Sequence, residues 1–242
     1  MAYNLTQSLD LESGSSQYAQ ITSVITGFPS GNTNQTVEAW VKFESFPADN
    51  VTMFVVAYGE DGNNNSAFSL AVINRSTVIK GYVDVFGADA EGNVSLGLSL
   101  DTWHHFAVRY NGTNIIWTVD GVDVDTEGAP TIDTNVTRAG VGGRTELATV
   151  SNFFDGKLSL ARVWSEARSQ AQLSANMCNV LGSTTNLAAE WTLDNVYTDN
   201  SGNSNTISPT NSPVFGADVP AVCATATEIR YGRFSTLLGV GT

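Results

Sequence analysis

One loop of the sequence concentrates side chains that can bind a metal ion. The segment 59–66 contains Asp61 and Asn63 among several acidic and amide residues. Carboxylate and amide oxygens are the ligands that calcium prefers in proteins. Asp61 and Asn63 are therefore candidate calcium ligands, and a solvated turn without a metal is the alternative interpretation.

Nucleophilic catalysis has little support in the sequence. His104 and His105 are the only two histidines, and they adjoin in a segment typical of a strand. The sequence contains no Gly-x-Ser-x-Gly segment, which forms the nucleophile turn of many hydrolases. Both histidines are therefore expected to have a structural role.

A series of β-hairpins must position any site in the middle of the chain. Asn111-Gly112 and Asp120-Gly121 each separate runs of β-branched and aromatic residues. Such dipeptides accept positive φ at both central positions of a two-residue turn. The segments 106–110, 115–119 and 122–124 are therefore predicted to form a three-stranded antiparallel meander.

Apolar and polar residues alternate along much of the chain. The alternation is clear in segments 37–43, 68–72 and 94–100, and clusters of Gly, Asn, Asp and Ser separate these segments. Side chains of a strand point alternately to its two faces, so period two indicates half-buried strands. Many short strands separated by turn clusters predict an all-β sandwich or barrel.

One short helix and two cysteines follow the predicted strands. Ser169 and Gln172 have the spacing of a capping box, which predicts a helix that begins there, runs toward Cys178 and covers an end of the sandwich. Cys178 and Cys223 are the only cysteines, and one disulfide between them would close the C-terminal region. Two buried free thiols are the alternative.

Charge and hydropathy exclude two classes of partner. The formal net charge is -13, with 11 Lys and Arg against 24 Asp and Glu, so a phosphate backbone would be repelled and nucleic-acid binding is not expected. No segment approaches the roughly 20 apolar residues of a membrane helix, so membrane insertion is not expected. No signal peptide is visible at the N-terminus.

The last residues differ in character from the rest of the chain. The acidic bias ends at about residue 221, and apolar residues are spread through the segment that follows. We interpret residues 1–220 as one domain and residues 221–242 as an arm for assembly or anchoring, with a final strand of the sandwich as the alternative. The apolar candidates for assembly contacts in the arm are Ile229, Tyr231, Phe234, Leu237 and Leu238.

Several segments together resemble the laminin G-like domains of the concanavalin A-like lectin/glucanase superfamily. The resemblance covers about residues 5–220 and implies a jelly-roll β-sandwich of two antiparallel sheets with one short helix. The matching segments are 16–21 (SQYAQI), 36–42 (TVEAWVK), 103–108 (WHHFAV) with 119–122 (VDGV), 154–164 (FDGKLSLARVW), and 191–194 (WTLD) with 199–203 (DNSGN).

The resemblance extends to pentraxins, which have a related jelly roll, and it bears on the calcium candidates. Asp61 and Asn63 lie where pentraxins have calcium ligands, and the resemblance places a second acidic loop at residues 142–148. That loop keeps only Glu146, so a double calcium site is not expected. A single Ca²⁺ held by Asp61, Asn63 and Glu146 is what the resemblance implies.

The resemblance also raises glycoside hydrolysis, because some members of the superfamily are glycosidases. Those enzymes place two or three carboxylates in alternation on one strand, so that nucleophile and acid face the same sugar. Here Asp84 is alone on its predicted strand, and Asp89 and Glu91 fall in a turn. We therefore expect no enzymatic activity, and a glycoside hydrolase is the least favoured alternative.

The sequence thus predicts a non-enzymatic recognition or structural protein, of a virion-surface or adhesin-like kind, whose lectin-like domain binds a glycan or a cell surface. It would act at a virion or extracellular surface, as an oligomer or with other assembly subunits held through the arm. A purely structural assembly or decoration protein is the alternative.

The sequence selects no sugar site, because the five tryptophans lie in strand patterns and the loop aromatics Tyr58, Phe86 and Phe153 have no further support.

Overall fold

A computed structural model describes residues 4–60 and 62–223 of the protein. Within these residues the chain forms two antiparallel sheets packed face to face, with one short α-helix. The predicted all-β jelly-roll sandwich is therefore confirmed. No helix among the described residues is both long and apolar enough to cross a membrane.

Sheet I contains eight of the described strands. Its order from one edge to the other is β10 (Val122–Gly128), β9 (Asn114–Val119), β8 (Trp103–Tyr110), β3 (Gln35–Phe43), β12 (Gly156–Trp164), β1 (Ser8–Leu11) and β15 (Val214–Gly216), while β13 (Leu187–Trp191) pairs with the later part of β12. Strands β3 and β12 lie side by side at its centre, with Phe43 opposite Gly156.

Sheet II contains seven of the described strands. Its order is β14 (Ile207–Thr210), β2 (Tyr18–Ile21), β11 (Arg138–Val141), β4 (Thr52–Gly59), β5 (Phe68–Arg75), β6 (Val78–Val83) and β7 (Ala90–Glu91). The chain passes from β3 in sheet I to β4 in sheet II through one loop at an end of the sandwich.

The core lies between the two sheets and follows the period-two pattern. Apolar side chains at alternate positions of β3 and β5 are completely buried there, as the sequence predicts. Removing these chains from water is the main favourable contribution to folding. The residues concerned are Val37, Ala39, Val41 and Phe43 of β3 and Phe68, Leu70 and Val72 of β5.

The predicted three-stranded meander is present, with one difference in its turns. Asp120 and Gly121 both have positive φ, 50° and 76°, as a two-residue hairpin turn requires. The first turn is longer and spans residues 111–113, where Gly112 has φ 91°. The Asn111 side-chain oxygen accepts the backbone N–H groups of Thr113 and Asn114, and these bonds stabilise the longer loop.

The alternation at residues 94–100 is not a regular strand, and that prediction was wrong. Only Leu96 in it is fully buried, whereas Val94 and Leu100 are 46% and 44% exposed. The segment follows the two-residue strand β7 at the edge of sheet II, and a single backbone bridge, between Leu100 and Phe43, pairs it with sheet I. Sheet pairing is thus absent along most of this segment, although Leu96 and the half-buried Leu98 pack against the core.

The helix α1 (Gln170–Asn176) begins at the predicted capping box. The Ser169 hydroxyl accepts the Gln172 N–H, and the Gln172 side chain accepts the Ser169 N–H in return. The helix lies on the outer face of sheet I rather than at an end of the sandwich. Ser174 donates to the Gly121 carbonyl oxygen, at 3.0 Å, in the turn between β9 and β10.

A disulfide bond between Cys178 and Cys223 ties down the segment that follows α1. Within this segment the Met177 carbonyl oxygen accepts a hydrogen bond from the Trp40 indole, with 2.7 Å between Nε1 and the oxygen. Trp40 and Leu160 are therefore buried on the outer face of sheet I, where strands of a sandwich more often meet solvent.

Candidate functional site

Ser66 makes two hydrogen bonds within the described part of the loop that supplied the calcium candidates. The Ser66 hydroxyl lies 2.6 Å from the Asn63 carbonyl oxygen and 2.9 Å from that of Glu60, so it closes the turn. Asn63 itself is exposed. Asp61 lies outside the described residues, and calcium binding at Asp61, Asn63 and Glu146 therefore stays a prediction.

Glu146 is fully buried, at 0% exposure, and pairs with an arginine. Its Oε1 accepts a hydrogen bond from Arg144 Nε at 3.0 Å, and the same guanidinium pairs with the buried carboxylate of Asp84. The guanidinium carbon lies 5.8 Å and 5.1 Å from the ring centres of Phe54 and Phe86. Arg144 thus already supplies one positive charge to this pair of carboxylates, on the outer side of sheet II.

Asp84 and Glu146 share the single guanidinium group of Arg144, and this sharing affects the pKa of Glu146. Burial raises the pKa of Glu146 to about 8, the charge of Asp84 adds to the rise, and Arg144 opposes it. Burial also raises the pKa of Asp84, against a hydrogen bond from the Phe86 N–H and the charge of Arg144. At neutral pH the folded protein therefore holds a proton on Glu146 that the unfolded chain releases.

We expect the stability of the protein to fall between pH 5 and pH 8.5 because of Glu146. A carboxyl whose pKa is raised on folding stabilises the protein fully below its unfolded pKa, and this contribution is lost as the pH rises through the folded pKa of about 8. Glutamine is a neutral mimic of the protonated acid. The free energy of unfolding of Glu146→Gln, obtained from thermal unfolding, should therefore fall less steeply with pH over this range than that of the wild type. The slopes of the two proteins should differ by about 1 kcal/mol per pH unit. Parallel pH dependences of the wild type and Glu146→Gln would contradict the prediction.

An open groove of about 430 Å³ lies at one end of the sandwich. We call it the rim groove. Its volume lies within the range of about 300–1,000 Å³ that small-molecule sites occupy. It lies between the loop from β3 to β4, the loop before β12 and the turn after β1, and its lining includes the half-buried rings Phe46 and Phe153, the amide Asn152 and the hydroxyls Ser13, Ser45 and Thr52.

Contacts between distant parts of the chain fix Asn152 and Phe153 in the rim groove. Asn152 has φ 52°, a left-handed conformation that Asn adopts more readily than most residues. Its amide nitrogen donates to the backbone and hydroxyl oxygens of Thr52, at 3.1 and 2.9 Å. The Phe153 ring stacks on Tyr18, with 6.0 Å between ring centres and 27° between planes. We call the Phe153 ring the aromatic wall of the groove. The wall and the adjacent Asn152 amide are thus positioned before any ligand binds.

Asp155 holds the opposite side of the rim groove. Its Oδ1 accepts the Ser13 N–H at 3.0 Å, and its Oδ2 accepts the Ser45 hydroxyl at 2.5 Å. Burial acts to raise the pKa of Asp155, but these hydrogen bonds outweigh it and hold the pKa below the usual range. Asp155 therefore stays charged, and it fixes the two serines at the edge of the groove.

The chemistry of the rim groove suits a sugar. A flat aromatic face packs against the apolar C–H face of a pyranose ring, and amide and hydroxyl groups exchange hydrogen bonds with sugar hydroxyls. Among the aromatics that the sequence left open, Phe153 lies here and Phe86 lies beside Arg144. Tyr58 is fully buried in the core and donates to Gln35, so it cannot stack on a ligand.

No local pattern in the sequence marks Phe46 and Asn152 as site residues, although the strand order contains a signal for them. Phe43 at the end of β3 pairs with Gly156 at the start of β12. The loop after β3 and the loop before β12 must therefore meet at the same end of sheet I. Recognising that these two predicted strands are neighbours would have brought Phe46 and Phe153 together.

The two histidines lie in β8, and a ring nitrogen of each lies close to a carboxylate. His104 Nδ1 lies 2.8 Å from Asp120 Oδ2. His105 is 1% exposed, and its Nε2 lies 2.9 Å from Glu38 Oε2. Glu38 in turn pairs with Arg162, which also pairs with Glu190, and all three are buried. Glu38 and Glu190 are thus paired with the buried Arg162 and do not face an open cleft.

Comparison with known proteins identifies the fold family. Residues 13–174 match the family model of the concanavalin A-like lectin/glucanases superfamily. No curated protein sequence is similar enough to match the chain. Three similar solved structures are a candidate carbohydrate-binding protein from Bacteroides ovatus, a heptameric SAP-like pentraxin from Limulus polyphemus and tailspike protein 2 of bacteriophage CBA120.

These likenesses show a common fold at low sequence identity. The Bacteroides protein has 19% identity and a TM-score of 0.64, with 87% of this chain and 61% of that chain covered. The pentraxin has 12% identity and a TM-score of 0.66, with 91% and 98% covered. The tailspike has 14% identity and a TM-score of 0.53, with 80% and 34% covered. The chain thus spans about three fifths of the Bacteroides protein and one third of the tailspike.

Proposed function

The chain belongs to the concanavalin A-like lectin/glucanases superfamily, and we propose that it is a non-enzymatic recognition protein that binds carbohydrate in the rim groove. The observation that carries the proposal is that two half-buried aromatic rings, Phe46 and Phe153, line the same groove as the fixed amide of Asn152. The candidate carbohydrate-binding protein among the similar structures supports a lectin-like role.

A binding role without catalysis is favoured by how the buried carboxylates are used. Glu38 and Glu190 pair with Arg162, and Asp84 and Glu146 pair with Arg144. Glycosidases need one carboxyl that can donate a proton and a second one facing the same sugar in an open cleft, whereas Glu146, which holds a proton at neutral pH, is completely buried. Asp155, which holds two serines of the groove lining, accepts their hydrogen bonds through both of its oxygens. This arrangement supports recognition rather than glycosidic bond cleavage.

We propose that the protein acts at a virion or extracellular surface. The disulfide between Cys178 and Cys223 supports this location, because disulfides persist in oxidising environments and are rare in the cytosol. The tailspike likeness is compatible with a virion. The proposed assembly contacts of Ile229, Tyr231, Phe234, Leu237 and Leu238 lie outside the described residues, so the oligomer and the arm remain proposals.

A glycan array probed with the intact protein tests the proposed function, once with Ca²⁺ and once with EDTA. Binding that EDTA abolishes would support both the lectin role and a calcium ion at Asp61, Asn63 and Glu146. Binding that EDTA leaves unchanged would support the lectin role and remove the metal. No binding in either condition would contradict the lectin role and favour a purely structural assembly or decoration protein.

Removing the aromatic wall should abolish most of the binding. We expect Phe153→Ala to weaken the affinity for the best array ligand by about 10- to 100-fold, because buried aromatic anchors contribute about 1.4–3 kcal/mol to an interface. Titration calorimetry measures the change. Phe28→Ala is the matched control, since Phe28 is also half-buried but packs on Tyr58 and Trp191, away from the groove lining. Equal affinities for the two variants would place the site elsewhere.

A further inference from the structure

Several donors in the lining of the rim groove are already used by other protein groups. The Ser45 hydroxyl has one hydrogen, which it donates to Asp155 Oδ2. The Asn152 amide nitrogen has two hydrogens, and it donates to two oxygens of Thr52. The Ser13 N–H donates to Asp155 Oδ1. These three donors are therefore not available to a ligand.

The same groups still offer lone pairs to a ligand. The Ser45 oxygen can only accept further hydrogen bonds, because its hydrogen is donated to Asp155. Asn152 Oδ1 accepts the Ser151 hydroxyl at 2.9 Å, and a carbonyl oxygen has a second lone pair. This side of the groove thus favours a ligand group that donates an N–H or O–H.

An apolar surface adjoins these acceptors. Val51 lines the groove and is 42% exposed, and its N–H donates to the Ala48 carbonyl oxygen, so that a tight turn brings both residues into the lining. Asn152 bonds to both oxygens of Thr52, the residue that follows Val51. No residue of the lining is charged. The groove therefore sets a hydrogen-bond acceptor beside exposed apolar surface, which is stabilised when a ligand covers it.

We infer that the rim groove recognises sugars that carry an acetamido group, the N-acetylhexosamines. This inference rests on the proposed function and names the ligand class of the same site. The acetamido N–H donates to the acceptors at Asn152 and Ser45, and the methyl group covers Val51. The carbonyl oxygen accepts from the Thr52 hydroxyl or from water, since the groove is open. A sugar hydroxyl supplies a donor without the methyl group, and the methyl group of a 6-deoxy sugar has no donor attached.

Matched methyl β-glycosides that differ only at position 2 of the sugar test the inference. One series has the glucose configuration and the other the galactose configuration, and position 2 carries an acetamido, formamido, O-acetyl or hydroxyl group. The formamido group keeps the N–H and loses the methyl group, whereas the O-acetyl group keeps the methyl group and loses the N–H. NMR titration of the full-length protein measures each affinity.

We expect the acetamido sugar to bind most tightly in at least one of the two series. The formamido sugar should bind about fourfold more weakly, the effect of one buried methyl group. The O-acetyl sugar should bind about fivefold more weakly, the effect of one neutral hydrogen bond. If either analogue binds as tightly as the acetamido sugar in both series, the inference is overturned.

Variants of the lining test the two contacts separately. Val51→Thr keeps the side-chain shape, and it should lower the ratio of acetamido to formamido affinity from about fourfold to about twofold. Val122→Thr is the matched control, because Val122 is 57% exposed but lies in β10 at an edge of sheet I, outside the lining. Ser45→Ala removes an acceptor and should weaken the acetamido and formamido sugars by similar factors, with less effect on the O-acetyl sugar. Equal ratios in the two valine variants would overturn the inference.

The outcomes also separate this inference from the proposed function. Tightest binding of the hydroxyl sugars would overturn the inference and leave the lectin role intact. If no sugar of either series binds, the inference falls. The proposed function falls with it only if the glycan array is also blank.

Discussion

Replacing Arg162 by methionine is expected to destabilise the fold by about 3–5 kcal/mol, since it leaves two buried carboxylates without their cation. Arg162 is 0% exposed, and its guanidinium lies 2.8 Å from Glu190 Oε2 and 3.2 Å from Glu38 Oε1. The same guanidinium donates to the backbone carbonyl oxygens of Asn176 and Asn179. One side chain therefore joins three strands of sheet I to the segment after α1.

The pKa of Glu38 shows how strongly Arg162 and its neighbours stabilise the charged carboxylate. Burial alone would raise its pKa, but Arg162, His105 and the Trp164 indole together lower the pKa of Glu38 to about 2. Without Arg162 the largest of these opposing effects is lost, and Glu38 must either take up a proton or remain as an isolated buried charge. Either result costs free energy that the folded protein now avoids.

Denaturant unfolding measures the loss, with Arg75→Met as the matched control. Arg75 pairs with Glu91 at the surface, where its side chain is 40% exposed, so its removal should cost much less than the removal of Arg162. Adding Glu38→Gln and Glu190→Gln to Arg162→Met should recover part of the stability, because the unpaired charges are removed. If Arg162→Met costs no more than Arg75→Met, the network does not stabilise the fold.

Alternation along β3 predicted the core but not the burial of its other face. Val37, Ala39 and Val41 lie between the sheets as the period indicates. Glu38 and Trp40 lie on the opposite face, and the period alone assigns that face to solvent. They are buried because α1 and the segment after it cover them, and no local pattern predicts which surface a distant helix will cover. The same limit explains residues 94–100, where alternation occurs without a partner strand.

Local signals predicted the turns and the helix cap better than the site. The Asp120-Gly121 turn and the Ser169 cap are fixed by residues within three positions of each other. The rim groove depends on contacts such as that between Asn152 and Thr52, which are 100 residues apart. Phe153 was one of several loop aromatics in the sequence, and only the fold brings it beside Phe46. The burial of Glu146 against Arg144 likewise follows from tertiary packing.

Removing the disulfide is expected to cost about 2–4 kcal/mol, the second largest effect. Cys178 and Cys223 are 45 residues apart, and a cross-link that closes a loop of this length restricts the unfolded chain considerably. In the folded protein the bond also holds the segment whose carbonyl oxygens accept hydrogen bonds from Arg162 and Trp40. The cross-link and the buried network therefore stabilise the same layer on the outer face of sheet I.

Denaturant unfolding of Cys178→Ser/Cys223→Ser, with and without dithiothreitol, measures this contribution. The reducing agent should destabilise the wild type toward the level of the variant and should not affect the variant. Combined with Arg162→Met, the cysteine changes should cost less than the sum of the separate losses, because both disrupt one layer and neighbouring sites are not additive. Strict additivity would mean that the segment after α1 keeps its place without the cross-link. Glycan affinity should be unchanged in the folded variant, since the loops of the rim groove are held by Asn152 and Asp155 and make no use of this layer.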